Sequence, residues 1–221
     1  MASRPRVRLD PQDRRAQLIA LGLQILSARP ASQVAVDDIA EAAGISRGLL
    51  FHYFSSKREF HLAVVQAAAD ELLTATDPDD TLPALEQLRL GLEAFVSFIE
   101  RKHELYVALV RGSAGADPDL HAIFEDHRDK VAGRVCRVLG DAGGRPEVRT
   151  AVRGWLAFCE ETVLHWMAHR TMRRQQLVML CEQVVVAAVA AVLPPEDLPA
   201  WYREQAAAVA AAVPADAAAR D

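Results

Sequence analysis

The sequence predicts an all-α fold, and three observations support this prediction. Apolar residues make up 51% of the 221 residues and aromatic residues only 6%, while alanine, the strongest helix former, is abundant. Apolar residues recur at helical spacing along the chain, and no strand-like alternation persists. The chain is long enough for one or two compact domains with a sizeable core.

The first three predicted helices lie close together near the N-terminus. The first spans residues 11–28, and its periodicity predicts an inner face formed by Ala16, Ile19, Ala20, Leu23 and Leu26. The second shows one apolar stripe made of Val36, Ile39, Ala40 and Ala43. Gly44 then stands where a residue with positive φ ends a helix, and Ser46 is placed to cap the third helix.

A helix, a glycine turn and a second helix form the arrangement that places a recognition helix in the major groove of DNA. The run resembles the DNA-binding domain of the TetR family of bacterial transcriptional regulators. The resemblance extends from Arg14 to Val65, about a third of the chain. Its matching residues are Asp38-Ile39-Ala40, Ala43-Gly44-Ile45-Ser46, Gly48, Leu50, Tyr53-Phe54 and Lys57.

The sequence departs from the family pattern at three places. Pro30 and Ala31 stand where the family usually has glycine and an aromatic residue. The stretch 34–36 lacks the threonine or serine hydroxyl that commonly contacts a phosphate, which removes one expected anchor. Phe51 replaces the common tyrosine.

The resemblance implies which side chains face DNA. It directs Arg47, Leu49 and His52 to base edges, with Arg47 suited to guanine and Leu49 to a thymine methyl. It gives phosphate contacts to Tyr53 and Lys57. Leu50, Phe51 and Phe54 are predicted to lie in the core. The predicted DNA-binding set is completed by Ser46, Gly48, Arg14 and, in the arm, Arg4, Arg6 and Arg8.

Two alternatives stay open for these residues. The arm arginines could enter a flanking minor groove or form a flexible tail that is attracted only diffusely to phosphates. The charged residues of the motif could be ordinary solvated surface groups. The charge distribution favours DNA, because residues 1–60 carry a net charge of +3 and residues 61–221 a net charge of −8, within a total of −5.

The rest of the chain is predicted to be a series of helices. A fourth helix, capped by Ser55 or Ser56, spans residues 57–75, and a break follows at 76–80. Further helices are predicted at 83–100, continuing or restarting to 111, and then at 119–139, 147–169, 173–193 and 195–212. We therefore predict an arm (1–10), a DNA-binding domain (11–57), a linker helix (58–76), a helical ligand-binding and dimerisation domain (77–213) and a frayed tail (214–221).

The resemblance implies that the C-terminal domain binds a small effector and forms a homodimer through the last two long helices. Their apolar surface exceeds what a thin helical layer buries internally, although a purely intramolecular core stays an alternative. The predicted interface consists of Phe158, Thr162, Trp166, Leu177, Leu180, Val184, Val185 and Ala188. The candidate effector contacts are His103, Tyr106, Arg111, Phe124, His127, Trp155 and Glu161.

Other features favour a cytoplasmic protein that acts by binding. The three cysteines have no CxxC spacing and suggest reduced, mostly buried thiols, with redox sensing as the alternative. The longest apolar run is too short to span a bilayer, and no apolar signal core is present. Glu161, His165 and His169 share a helix face that could hold zinc, but a hydrated surface explains them better.

The sequence thus predicts a homodimeric transcriptional repressor, released from a palindromic operator by a small molecule, with no cofactor, metal or enzymatic activity. An effector-independent regulator or an activator is the alternative. A metal-dependent enzyme or sensor is a remote one.

Overall fold

The computed structural model describes residues 10–29, 34–77, 79–107 and 117–212, and every regular element in these ranges is helical. This confirms the all-α prediction. Short 3-10 turns occur at Gly140–Gly144 and Pro195–Asp197, and residues 103–107 are also helical. The helices are α1 (Pro11–Ala28), α2 (Val36–Ala42), α3 (Arg47–Tyr53), α4 (Lys57–Ala75), α5 (Ala84–Arg101), α6 (Pro118–Val138), α7 (Pro146–His169), α8 (Arg174–Ala190) and α9 (Ala200–Ala212).

The chain divides into two compact units. The first unit contains residues 1–71 and 101–124, and the second contains residues 72–100 and 125–221. Both α4 and α6 contribute residues to each unit, so the chain passes between the units within helices. The arm residues Arg4, Arg6 and Arg8 lie outside the described residues.

The first unit has one main core, to which α1, α2, α3 and α4 all contribute. Its buried members include Leu18 and Leu26 of α1, Ile39 of α2, Leu50 of α3, and Phe54, Phe60 and Val64. The rings of Phe54 and Phe60 meet edge to face, with their centroids 5.0 Å apart. These side chains fix the positions of the two short helices that follow α1.

The predicted inner face of α1 is partly wrong. Ala16 and Ala20 are exposed, whereas Leu18 and Gly22 are buried. A Cβ at Gly22 would lie 2.6 Å from atoms of both Phe60 and Val64, so only glycine permits this close approach of α1 to α4. Alanine misled the prediction because it counts as apolar in a helical pattern, yet its side chain is small enough to be exposed to solvent at little cost.

The second unit has α7 packed on α8, and α8 packed on α9. Side-chain donors from both neighbours bind carbonyl groups of α8. Trp155 Nε1 donates to the Cys181 carbonyl oxygen at 2.7 Å, and the Tyr202 hydroxyl donates to the Val185 carbonyl oxygen at 2.6 Å. Cys159 and Cys181 are buried thiols and Cys136 is half-buried, as the sequence suggested.

The turn between α7 and α8 has a left-handed residue, Arg170, with φ of 48°. Its guanidinium carbon lies 4.0 Å from the ring centroid of Trp166, and Trp166 Nε1 donates to the Met172 carbonyl oxygen at 2.8 Å. These contacts offset the cost of the left-handed backbone, which is roughly 1–3 kcal/mol.

No helix in the described part of the chain is both long and apolar enough to cross a membrane.

We expect Gly22→Ala to lower the free energy of unfolding by about 1–3 kcal/mol, because its methyl group would overlap Phe60 and Val64. Gly133→Ala is the matched control, since Gly133 lies within α6 and an added Cβ there meets no heavy atom within 4 Å. This control should raise the free energy by about 0.5–1 kcal/mol. Urea unfolding measures both, and changes of equal sign would contradict the packing.

Candidate nucleic-acid interface

The turn between α2 and α3 is held by a complete set of local hydrogen bonds. Gly44 has φ of 62°, its N–H donates to the Glu41 carbonyl at 2.9 Å, and the Ile45 N–H donates to the Ala40 carbonyl at 3.0 Å. This pair of bonds is a Schellman motif, which satisfies carbonyls at the end of a helix. Ser46 Oγ then accepts from the Leu49 N–H at 3.2 Å, so the predicted helix stop and helix cap are both confirmed.

The start of α2 is fixed by two side chains from elsewhere in the motif. Asp38 Oδ2 accepts from the Ala35 N–H at 3.0 Å, which is one half of a capping box; the other half needs a side-chain oxygen that Ala35 lacks. Lys57 Nζ donates to the Val34 carbonyl at 2.8 Å. Sequence reasoning missed this bond, because it joins residues 23 positions apart. Lys57 therefore connects the beginnings of α2 and α4.

The outward face of α3 exposes two large apolar side chains beside a cation. Leu49 is 39% exposed and Phe51 is 36% exposed. Arg47 lies beside them, with its guanidinium carbon 5.7 Å from the Phe51 ring centroid and Nη1 3.5 Å from Asp37 Oδ2. The prediction that Phe51 lies in the core is wrong, since Leu50 and Phe54 fill that side.

The remaining motif residues surround this face. His52 is exposed, and its ring meets the half-buried Tyr53 ring edge to face at 5.4 Å. Gly48 is exposed, and the nearest atom to a Cβ there would be Ser46 Oγ at 4.0 Å. Arg14 Nη1 donates to Gln17 Oε1 at 2.8 Å near the start of α1.

The charges at the start of α4 are set by local partners. The N–H and hydroxyl of Ser55 donate to Glu59 Oε2 at 2.7 and 2.6 Å, which lowers the pKa of Glu59 and keeps it anionic. Arg58 donates to Asp117 Oδ1 at 2.8 Å and to Asp119 Oδ2 at 2.6 Å. Arg58 is thus neutralised by its neighbours, whereas Arg47 has one long, exposed pairing.

The candidate effector residues differ in their surroundings. In the first unit, Tyr106 and Phe124 are buried and His103 is half-buried. In the second unit His127 is half-buried, whereas Glu161 is exposed on α7. Trp155 is buried, and its N–H donates to the Cys181 carbonyl oxygen. Arg111 lies outside the described residues.

A groove of about 240 Å³ lies between α5 and α8, within the second unit. Arg89 and Glu182 form an ion pair in it, with N–O distances of 3.0 and 3.2 Å. Met179, also at this groove, is 48% exposed. None of the candidate effector residues lines this groove, so their role stays a prediction.

Three of the predicted dimer residues are buried inside the protomer. Trp166, Leu177 and Val185 are at most 3% exposed and pack within the core of the second unit, so their assignment to a surface is wrong. Helical periodicity identified apolar positions but could not tell which of them face α7 or α8 of the same chain. The others are half-buried: Phe158, Thr162, Leu180, Val184 and Ala188.

The histidines of α7 contact each other. The rings of His165 and His169 stack with centroids 4.3 Å apart, and both side chains are exposed with Glu161. In residues 10–29, 34–77, 79–107 and 117–212, no group of three His, Cys, Asp or Glu side chains is arranged to hold a metal ion.

Two family models match the chain. The model described as bacterial regulatory proteins, tetR family, matches residues 18–64, which include the turn and α3. The model described as tetracyclin repressor-like, C-terminal domain, matches residues 84–190.

Individual proteins show the same similarity. The transcriptional activator FasR of Mycolicibacterium smegmatis is 31% identical over 131 residues, which is 58% of each chain. The putative mycofactocin biosynthesis regulator MftR of Mycobacterium tuberculosis is 34% identical over 66% of this chain and 76% of its own length. A tetR-family regulator from Streptomyces coelicolor shares the fold with a TM-score of 0.78 and 26% identity, over 94% of this chain and 93% of that one. The match to FasR thus spans less than two thirds of that relative.

Proposed function

The chain belongs to the TetR family of bacterial regulatory proteins, and we propose that it is a repressor that binds a palindromic operator and is released by a small molecule. The observation that carries this proposal is the face of α3. Arg47, Leu49 and His52 are exposed together on a helix whose start is capped by Ser46 and fixed by the Gly44 turn. We expect the protein to act in the cytoplasm by binding alone, and to catalyse no reaction.

Base reading rests on Arg47. Its guanidinium matches the O6 and N7 acceptors of guanine, while Leu49 offers an apolar contact for a thymine methyl. Asp37, 3.5 Å from Arg47, competes for the same donors. Replacing the Arg47–Asp37 ion pair by contacts with DNA is favourable only where the base offers two well-placed hydrogen-bond acceptors. Asp37 can then accept from a cytosine amino group, so this pair sharpens the choice of sequence.

Orientation on the duplex rests on phosphate contacts. The Lys57 ammonium has three N–H donors and uses one on the Val34 carbonyl, which leaves two for a phosphate. Tyr53 is held against the core with its ring fixed by packing. Gly48 and Ser46 are exposed at the start of α3, and because Gly48 has no side chain a phosphate can approach its backbone closely. Arg14 adds a further cation near the start of α1.

We expect Arg47→Ala to reduce affinity for the operator by about 1–3 kcal/mol and to relax the preference for guanine. Fluorescence anisotropy should measure binding to the intergenic DNA beside the gene and to a scrambled duplex, over a series of salt concentrations. Lys57→Gln should weaken binding to both duplexes and reduce the salt slope by about one unit.

Arg173→Ala provides the matched control, because it removes one exposed arginine from the second unit. It should leave both affinities unchanged. If wild-type protein bound the two duplexes equally, or if the control lost as much affinity as Arg47→Ala, the assignment of α3 to base reading would be wrong.

A homodimer would present two copies of α3 to half-sites about 34–36 Å apart. We propose that its interface uses the outward residues of α7 and α8. The supporting observation is that Phe158, Leu180 and Val184 stay partly exposed, and Met179 about half exposed, on a long helix pair whose other face is already packed. Such a surface is typical of helices that pack against a symmetric copy.

We expect Val184→Glu to convert the dimer to monomer, because a carboxylate at a buried interface lacks a partner and loses its hydration. Ala122→Glu introduces the same group at an exposed position of α6 and should leave the mass unchanged. Light scattering after size-exclusion chromatography measures both. A Val184→Glu protein that stays dimeric would exclude this interface.

Release from the operator requires an effector that binds more tightly to one conformation of the dimer. In that conformation the spacing of the two DNA-binding domains does not match the spacing of the half-sites. Helix α4, which contains residues of both units, is the connection through which we propose that this preference acts. An activator is the second candidate, because the relative FasR is named as one. In an activator, binding at the operator would recruit transcription instead of blocking it.

We expect an apolar organic ligand that raises the melting temperature of the protein to weaken operator binding about tenfold or more, which corresponds to about 1.4 kcal/mol of coupling. Thermal-shift screening followed by anisotropy on the operator would measure both effects. A protein with no saturable site for a fluorescent apolar probe, yet with selective DNA binding, would be an effector-independent regulator.

A further inference from the structure

A cavity of about 340 Å³ lies in the second unit, away from the residues proposed for DNA binding and dimerisation. It is formed by the C-terminal half of α6, the 3-10 turn at Gly140–Gly144 and the beginning of α7. Three arginines line it: Arg137 from α6, and Arg149 and Arg153 from α7. Its volume falls at the lower end of the range for small-molecule sites.

The three arginines differ in how they are compensated. Arg153 forms ion pairs with Glu125 and Asp129, so its charge is neutralised. Arg137 and Arg149 are exposed, and within the described ranges neither takes part in an ion pair. The cavity lining therefore keeps two cationic groups, one from α6 and one from α7, that no carboxylate of the described ranges pairs with.

Glycine residues line the cavity together with the arginines, and they leave its backbone accessible. A Cβ added at Gly133, Gly140 or Gly144 would meet no heavy atom within 4 Å, so these glycines leave open space. Gly143 is different, because its Cβ would lie 1.9 Å from the Cys136 carbonyl oxygen. This close approach fixes the turn against the end of α6 and keeps the shape of the cavity.

The remaining polar group adds no negative charge. Burial raises the pKa of the Cys136 thiol, so this side chain stays neutral at physiological pH. Asp129 is the one acidic residue of the lining, and Arg153 pairs with it. The local field is therefore positive inside a unit whose sequence is acidic overall.

We propose that this cavity binds a small anion, a phosphate or carboxylate compound, between the guanidinium groups of Arg137 and Arg149. Arginine matches the planar oxygen pairs of these groups, and the open glycine backbone allows a ligand to approach closely. Because the site shares no residue with the proposed DNA or dimer surfaces, the inference does not depend on the proposed function.

Calorimetric titration of the full-length protein tests the proposal, with pyrophosphate and citrate as separate probes at constant ionic strength. We expect one saturable site per chain, and the probe that binds more tightly identifies the anion class. Arg149→Gln and Arg137→Gln should each weaken binding about tenfold or more. Arg173→Gln, which removes an exposed charge outside the cavity, should leave the affinity unchanged.

Gly133→Leu tests the cavity itself without altering charge. Its side chain would occupy the open space beside α6, so we expect binding to be lost while the thermal unfolding transition is kept. Saturable binding that disappears in Gly133→Leu and Arg149→Gln supports the site. The proposal is overturned if neither probe binds, or if Arg173→Gln weakens binding as much as Arg149→Gln, because attraction would then be diffuse.

Discussion

Helix α3 forms and keeps its position only because its apolar side chains are buried in one small core. A seven-residue helix is not stable in water by itself. Both α2 and α3 have this length, and each contributes few buried side chains. Ile39 of α2 and Leu50 of α3 belong to the same core as Phe54 and Phe60, and Gly22 lets α1 and α4 approach closely enough to form it. The local caps at Gly44 and Ser46 then set the direction of α3. Loss of the core would therefore abolish the exposed face of α3 even if Arg47, Leu49 and His52 were all unchanged.

Local signals made most of this region predictable from the sequence. Several features depend only on residues within a few positions of one another. They are the limits of α1 and α4, the positive φ of Gly44 and the cap at Ser46. The errors concern contacts between distant segments. Phe51 is exposed because Leu50 and Phe54 already fill the core, and a helical pattern cannot show that a core is full. In the same way, Trp166, Leu177 and Val185 belong to an apolar stripe whose partner lies within the chain.

Charge counts alone gave an incomplete picture of the first unit. The first 60 residues have a net charge of +3, but Arg58 is neutralised by Asp117 and Asp119, which lie far along the sequence. Arg47 has an acidic neighbour too, Asp37, which the count of +3 already includes. The positive field available to a phosphate backbone is thus smaller than the sequence count indicates. For the proposed operator binding, a modest field means less nonspecific attraction to DNA and a larger share of the affinity from contacts with base edges.

Helix α8 is held from two sides, by Trp155 at the Cys181 carbonyl and by Tyr202 at the Val185 carbonyl. These bonds fix its rotation about its own axis, together with the ion pair between Arg89 and Glu182. The outward side chains of α8 are free of these constraints, so they can be replaced over generations while the fold persists. If this surface forms the proposed dimer interface, a duplicated gene could change it without repacking the interior of the protein. Two such descendants in one cell would then form separate homodimers.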